Sequence, residues 1–250
     1  MKATTKKASR RLTAKRSAKG DIQALAFADR LDSLAAQPGM RKGERTRALL
    51  KAAAAQLLER GGYRDLRVTD VNERAGVSNA LFYLYFPNKD KITEEVMTEF
   101  VDVLFSHTPR DRIPNNVEEA IYRANLDYVL RFAANPGLMR CLLQFGDEMA
   151  EFEKLWRERN DAWVEKTVRR LGREPDLTPK SADEIWSTTA ALGMMMDGML
   201  RLIYVEREPR TREHMRSIAP DEPALALFLT RLWVRTLFAR EMTWQPDEFP

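Results

Sequence analysis

Apolar residues in this chain recur at three- and four-residue spacings over long stretches, and nowhere do they alternate with polar ones over the length of a strand. The pattern predicts a succession of amphipathic helices. Between residues 44 and 60, Leu49, Ala53 and Leu57 follow at four-residue steps with Leu50, Ala54 and Leu58 beside them, and Gly61-Gly62 stops the helix. Further helices are expected at 89–105, with Ile92, Val96, Phe100 and Val103 on one face, and at 117–134, 138–145, 147–171, 181–206 and 224–240. Asn135-Pro136-Gly137 and residues 173–179 read as turns, and residues 207–223, with Pro209, Pro220 and Pro223, as a charged loop. Residues 21–36 carry a weaker helical pattern, because Ile22 and Leu25 fall on a different side from Phe27, Leu31 and Leu34. The expected fold class is all-α.

Residues 68–86, VTDVNERAGVSNALFYLYF, form the most specific stretch. A short amphipathic helix from Val68 to Ala75 meets Gly76, which can take the positive φ of a sharp reversal, and Ser78 can cap the N–H groups of a second helix. Val71, Ala75, Val77, Phe82 and Phe86 would fix the angle between the two. This is the pattern of a helix-turn-helix, whose second helix enters the major groove of DNA. Asn79, Ala80, Leu81, Tyr83 and Leu84 are left to face a partner.

The runs Ala75-Gly76-Val77-Ser78 and Tyr83-Leu84-Tyr85-Phe86, followed by Lys89, resemble the DNA-binding domain of TetR/AcrR transcriptional regulators over residues 44–105. The resemblance implies an N-terminal three-helix DNA-binding domain followed by a larger helical domain for ligand binding and dimerisation. Its boundaries here would be a basic, mostly disordered arm at 1–40, the helix-turn-helix domain at 41–106 and the effector-binding and dimerisation domain at 107–250. It places Tyr83, Tyr85 and Lys89 against the DNA backbone or bases, and Asn79, Ala80, Leu81 and Leu84 on the exposed face of the recognition helix. Asn79 suits an adenine edge and Ala80 or Leu81 a thymine methyl. Where the family usually has a capping Thr this chain has Arg67, which leaves Thr69 as a substitute cap and Arg67 as a phosphate contact. The recognition helix is also less polar than is common in the family.

In the second half, Ile185, Thr189, Leu192, Met196, Met199 and Ile203 make a heptad-like stripe, and Leu225, Phe228, Leu229, Leu232 and Trp233 line the last helix. In the resembled family the last two helices pair across a dimer, so these residues are the expected dimer interface. Leu126, Phe132, Met139, Leu142, Phe145, Met149, Trp156, Trp163 and Met195 are large, adaptable groups suited to an apolar effector pocket. Asp197 is read either as a polar ligand contact or as a partner for Arg201. The implied function is a sequence-specific regulator, a homodimer on a palindromic double-stranded operator, repressing until an apolar small molecule releases it.

Composition narrows this further. The 250 residues are 44% hydrophobic and 31% charged, without an apolar run near the ~20 residues that span a bilayer, so no membrane partner is expected. A single cysteine, Cys141, excludes an internal disulfide and points to the cytoplasm, and Arg10-Arg11 is followed by no apolar export segment. The net charge of +4 is uneven, since residues 1–42 hold eleven Lys or Arg against three Asp. A basic arm suits polyphosphate and opens an alternative, an effector-independent architectural DNA-binding protein. His107 and His214 are the only histidines, and there is no metal-ligand spacing, nucleophile elbow or phosphate loop. Neither catalysis nor a cofactor is expected.

Overall fold

Residues 25–105, 116–144, 150–178 and 181–245 are described by the computed structural model, and among them are eleven α-helices and no strand. In chain order these are α1 Phe27–Ala35, α2 Lys42–Gly61, α3 Val68–Ala75, α4 Asn79–Tyr85, α5 Lys89–Phe105, α6 Val117–Ala134, α7 Pro136–Gln144, α8 Ala150–Leu171, α9 Ala182–Leu200, α10 Pro209–Ile218 and α11 Glu222–Phe238. Local chemistry sets most starts. The Asn116 side chain accepts from the N–H groups of Glu118 and Glu119 to open α6, Ser181 and Glu184 form a capping box at α9, and Asp221 caps α11 through the Ala224 N–H at 2.9 Å.

The N-terminal core is built on the small-residue face of α2. Ala53, Ala54 and Leu58 are buried there with Phe82 of α4, Phe86 just after it, and Ile92, Val96 and Phe100 of α5. Leu49, expected on the inner face, is 36% exposed, because the buried stripe runs through Leu50 instead. The span 1–40 expected as an arm includes the helix α1. Phe27 is 2% exposed with its ring 5.5 Å from that of Phe100, so α1 belongs to the core. Residues 1–24 lie outside the described residues, as do residues 106–115 and the expected pocket residues Phe145 and Met149.

Two side chains lock the halves together. Glu59, near the end of α2, accepts the Gly137 and Leu138 N–H groups at 2.8 Å each and so caps α7 from outside. Burial nevertheless raises its carboxyl pKa above the usual value. Asn135 accepts the Phe27 N–H at 2.7 Å and donates to the Leu25 and Arg131 carbonyls, tying α1 to the α6–α7 corner. Gly137 is required by proximity: a Cβ there would stand 1.8 Å from the Glu59 carbonyl oxygen.

Two expectations are corrected here. Residues 207–223 are not a loop, for Pro209 at the first turn and the Glu208 carboxylate, which accepts the Arg210 and Thr211 N–H groups, start α10, whose Met215 is buried. The proposed dimer stripe is also turned inward. Ile185, Thr189, Leu192 and Met196 of α9 and Leu225, Leu229 and Trp233 of α11 are all buried within one chain, and the Trp233 indole N–H donates to the Met196 sulfur at 3.2 Å. These residues fill the core between two helices of the same molecule. Only Met199, Ile203, Phe228 and Leu232 of that set remain partly exposed. Past Leu200 the helix widens into a π turn, Arg201–Val205, closed by the Glu206 N–H on the Arg201 carbonyl at 2.9 Å.

Candidate nucleic-acid interface

The turn between α3 and α4 takes the form its residues predict. Gly76 sits at φ +67°, ψ +34°, and the Val77 N–H returns to the Asn72 carbonyl at 3.0 Å, closing α3. Ser78 Oγ then accepts the Leu81 N–H at 3.2 Å and opens α4. Phe82, Phe86 and Val71 are buried, with Ala75 and Val77 partly so, which anchors the inner side of α4. The outer side is left in solvent: Tyr83 is 53% and Leu84 79% exposed, and Asn79 and Ala80 are exposed with them, while Leu81 is half-buried. An isolated apolar side chain as exposed as Leu84 contributes nothing to the fold.

Two expected contacts are placed differently. Lys89 does not project outward. Its ammonium donates to the Tyr63 and Leu66 carbonyls at 3.4 Å each and lies 4.3 Å from the centre of the Tyr63 ring. It braces the α2–α3 loop against the start of α5. The Asn79 carbonyl oxygen accepts from the Asn72 amide at 3.0 Å, so α3 orients it and its own amide group alone is free to turn toward a base.

Arg67 is exposed at the position before α3 and forms no side-chain cap; Thr69, the second residue of α3, donates to the adjacent Asp70 carboxylate at 3.1 Å. Tyr85 is half-buried, and its hydroxyl lies against the first turn of α2, where a Cβ on Gly43 would be 3.3 Å away. That neighbourhood brings Arg41, Lys42 and Arg45, all exposed, close to the end of α4. Their basicity was visible in the sequence, but their place beside the recognition helix depends on how α2 packs.

Of the candidate effector residues, Phe132, Met139 and Leu142 are buried in the core, whereas Leu126, Trp163 and Met195 are half-buried beside it. Only Trp156 of the expected set lines the open groove of about 330 Å3 between α8 and α9, together with Glu153, Arg157, Asn160, Asp161, Trp186, Ala190, Met194 and Asp197. Asp197 accepts the Tyr128 hydroxyl at 2.6 Å, and burial pushes its carboxyl up to about 6. The Tyr128 phenol rises well above its usual value, chiefly through burial and then through that carboxylate. Sequence reasoning offered Asp197 a ligand or Arg201 as its partner without finding Tyr128, 69 residues away.

Among the described residues there is no cluster of ligands able to hold a metal ion, and no helix is long and apolar enough to cross a membrane.

Residues 50–96, which hold the core of α2, the whole turn and the start of α5, match the family model for bacterial regulatory proteins of the tetR family. The HTH-type transcriptional regulator EthR of Mycolicibacterium smegmatis is 23% identical over 208 residues, covering 78% of this chain and 88% of that protein. The HTH-type transcriptional repressor KstR2 of Mycobacterium tuberculosis is 36% identical over 76 residues, 30% of this chain and 36% of that one. In three dimensions, the putative transcriptional regulator SCO4942 of Streptomyces coelicolor superposes with a TM-score of 0.56 at 18% identity, over 77% of this chain and 98% of its own, which shows the shared fold. With its turn, cap and exposed helix face in place and a matching sequence across them, the chain is a DNA-binding regulator whose residues 50–96 carry the helix-turn-helix described by the tetR family model.

Proposed function

We propose that this regulator is a homodimeric repressor that reads a palindromic operator with α4 and leaves it when a small molecule binds the C-terminal domain. The observation that carries the reading is the outer face of α4: Tyr83, Leu84, Asn79 and Ala80 stand in solvent while Phe82 and Phe86 hold the helix to the core. The face is mostly apolar, so base recognition rests on thymine methyl contacts and the Asn79 amide. Phosphate affinity comes from Arg41, Lys42, Arg45, Arg67 and the Tyr83 and Tyr85 hydroxyls. Repression is the mode named for the relative KstR2.

A single helix-turn-helix reads one half-site, and a palindrome needs two. The face available for pairing is the outer side of α9 and α11, where Ala191 is exposed, a Cβ on Gly198 would meet open space, and Phe228 and Leu232 are partly exposed. That face replaces the inward stripe as the expected dimer contact. The test is selection of bound DNA from a random library, followed by light scattering of the complex. A palindromic consensus bound by two chains is expected; a non-repeating consensus bound by one chain would sink the reading. Competition of that complex with small molecules then tests release.

A further inference from the structure

The groove between α8 and α9 has a chemistry more specific than an apolar cavity. Its walls carry two indoles, Trp156 and Trp186, and the thioether of Met194; Trp186 is 43% and Met194 68% exposed. An indole and a long apolar side chain held open to water on the same groove are costly to leave uncovered, and their flat, polarisable surfaces fit a planar ligand. Its charge is unbalanced. Glu153 and Arg157 also line it, but they pair with each other one turn apart on α8. Asp161 and Asp197 remain without a cationic partner in the groove, and Asp197 has only the neutral Tyr128 hydroxyl as its partner.

Carboxylates beside indole faces attract positive charge twice over, through direct attraction and through the negative face of the ring. A carboxylate ligand would meet repulsion from both aspartates, and a neutral hydrocarbon would leave them unsatisfied. A volume of about 330 Å3 admits one molecule of two or three fused rings.

We infer that the α8–α9 groove binds a planar aromatic organic cation, stacked by Trp156 and Trp186 with its positive centre at Asp161 and Asp197. This rests on the effector reading above for its regulatory meaning, though not for the binding itself. Trp156 also joins the groove to the rest of the molecule, because its ring lies 5.6 Å from that of Phe105 at the end of α5.

The test titrates the full-length protein with three two-ring probes at pH 7.5, the cation 1-methylquinolinium, neutral quinoline and the anion 2-naphthoate, by tryptophan fluorescence and calorimetry. The cation should bind at least about tenfold more tightly than quinoline, and 2-naphthoate most weakly. Asp197→Asn should remove about tenfold of the cation's affinity and leave quinoline unchanged; Trp186→Ala, at a half-exposed site that the fold does not need, should weaken both rings. Equal affinity for the three probes, or undiminished cation binding in both variants, overturns the proposal. Operator release is read in the same samples. Selective cation binding without release upholds the groove and overturns its effector role, while release by quinoline alone keeps the effector role and overturns the cation site.

Discussion

At the scale of single residues, exposure separates side chains that make the fold from those kept for a partner. Leu84 is 79% exposed, so Leu84→Ala should change stability by less than about 0.5 kcal/mol, yet lower operator affinity while affinity for random DNA stays the same; paired gel shifts and urea melts check both halves. Lys89→Ala should do the reverse of what its place in the motif suggests. Its ammonium holds two carbonyls and a ring, so the loss should appear first as about 1–2 kcal/mol of stability in a urea melt, with DNA affinity falling only as the α2–α3 loop loosens. Asp197 gives a pH-dependent case. Its folded carboxyl is raised to about 6 from an ordinary 3.8, so the folded state favours the protonated form. The stability linked to it is complete below about 3.8 and is lost as pH rises through about 6. Asp197→Asn keeps an acceptor for Tyr128 without the charge. It should therefore raise stability by up to about 3 kcal/mol at pH 7.5, and by progressively less as the melt is repeated toward pH 4. A carboxylate retained against that gain fits a group held for binding.

At the scale of elements, what was legible in the sequence was what is decided locally. Gly76 and Ser78 specify their turn and cap within a few residues, and α6 runs from Val117 to Ala134 where the spacing put it. α10 was missed because its apolar content is little more than Met215, and its start depends on an unusual Glu208 cap and Pro209. The direction of α9 was misread because that helix is apolar on several sides. Spacing identifies the stripe of Ile185, Thr189, Leu192 and Met196, but which stripe meets α11 and which meets solvent is set by packing. The partners of Lys89, Asn79 and Asp197 were illegible for the same reason: each contact joins elements whose approach no local pattern encodes. The corner of α7 shows how strict such an approach can be. Gly137→Ala would put a methyl group 1.8 Å from the Glu59 carbonyl oxygen, and neither backbone can yield without breaking the two hydrogen bonds that Glu59 makes. Destabilisation of about 3 kcal/mol or more is expected in a urea melt, since the clash adds to the lost cap.

At the scale of the whole molecule, the question is how a ligand near α8 could reach α4. Contacts run without a break along one route. Trp156 lines the α8–α9 groove and packs on Phe105, the last residue of α5. The Arg131 guanidinium donates to the Val103 carbonyl at 3.0 Å and holds the same end of α5 to α6. At its other end α5 begins at Lys89, three residues after α4 and its cap at Phe86, and Phe86 carries the Arg47 guanidinium 4.9 Å above its ring. A rigid α5 that pivots at Phe105 would therefore swing α4, and the spacing between two recognition helices in a dimer magnifies a small rotation into a mismatch with the half-sites. Coupling through this route is distinct from binding at either end, and Phe105→Ala separates the two. Phe105→Ala should leave operator affinity without ligand, and ligand affinity without DNA, within about threefold of the parent. It should reduce the factor by which saturating ligand weakens operator binding, from the 5–150-fold typical of such coupling to about twofold. Because linkage is reciprocal, the factor by which operator weakens ligand binding must shrink equally in the same variant. Titrations of both kinds on parent and variant measure it, and an undiminished factor in Phe105→Ala would show that the signal passes through the Glu59 and Asn135 clamps instead of α5.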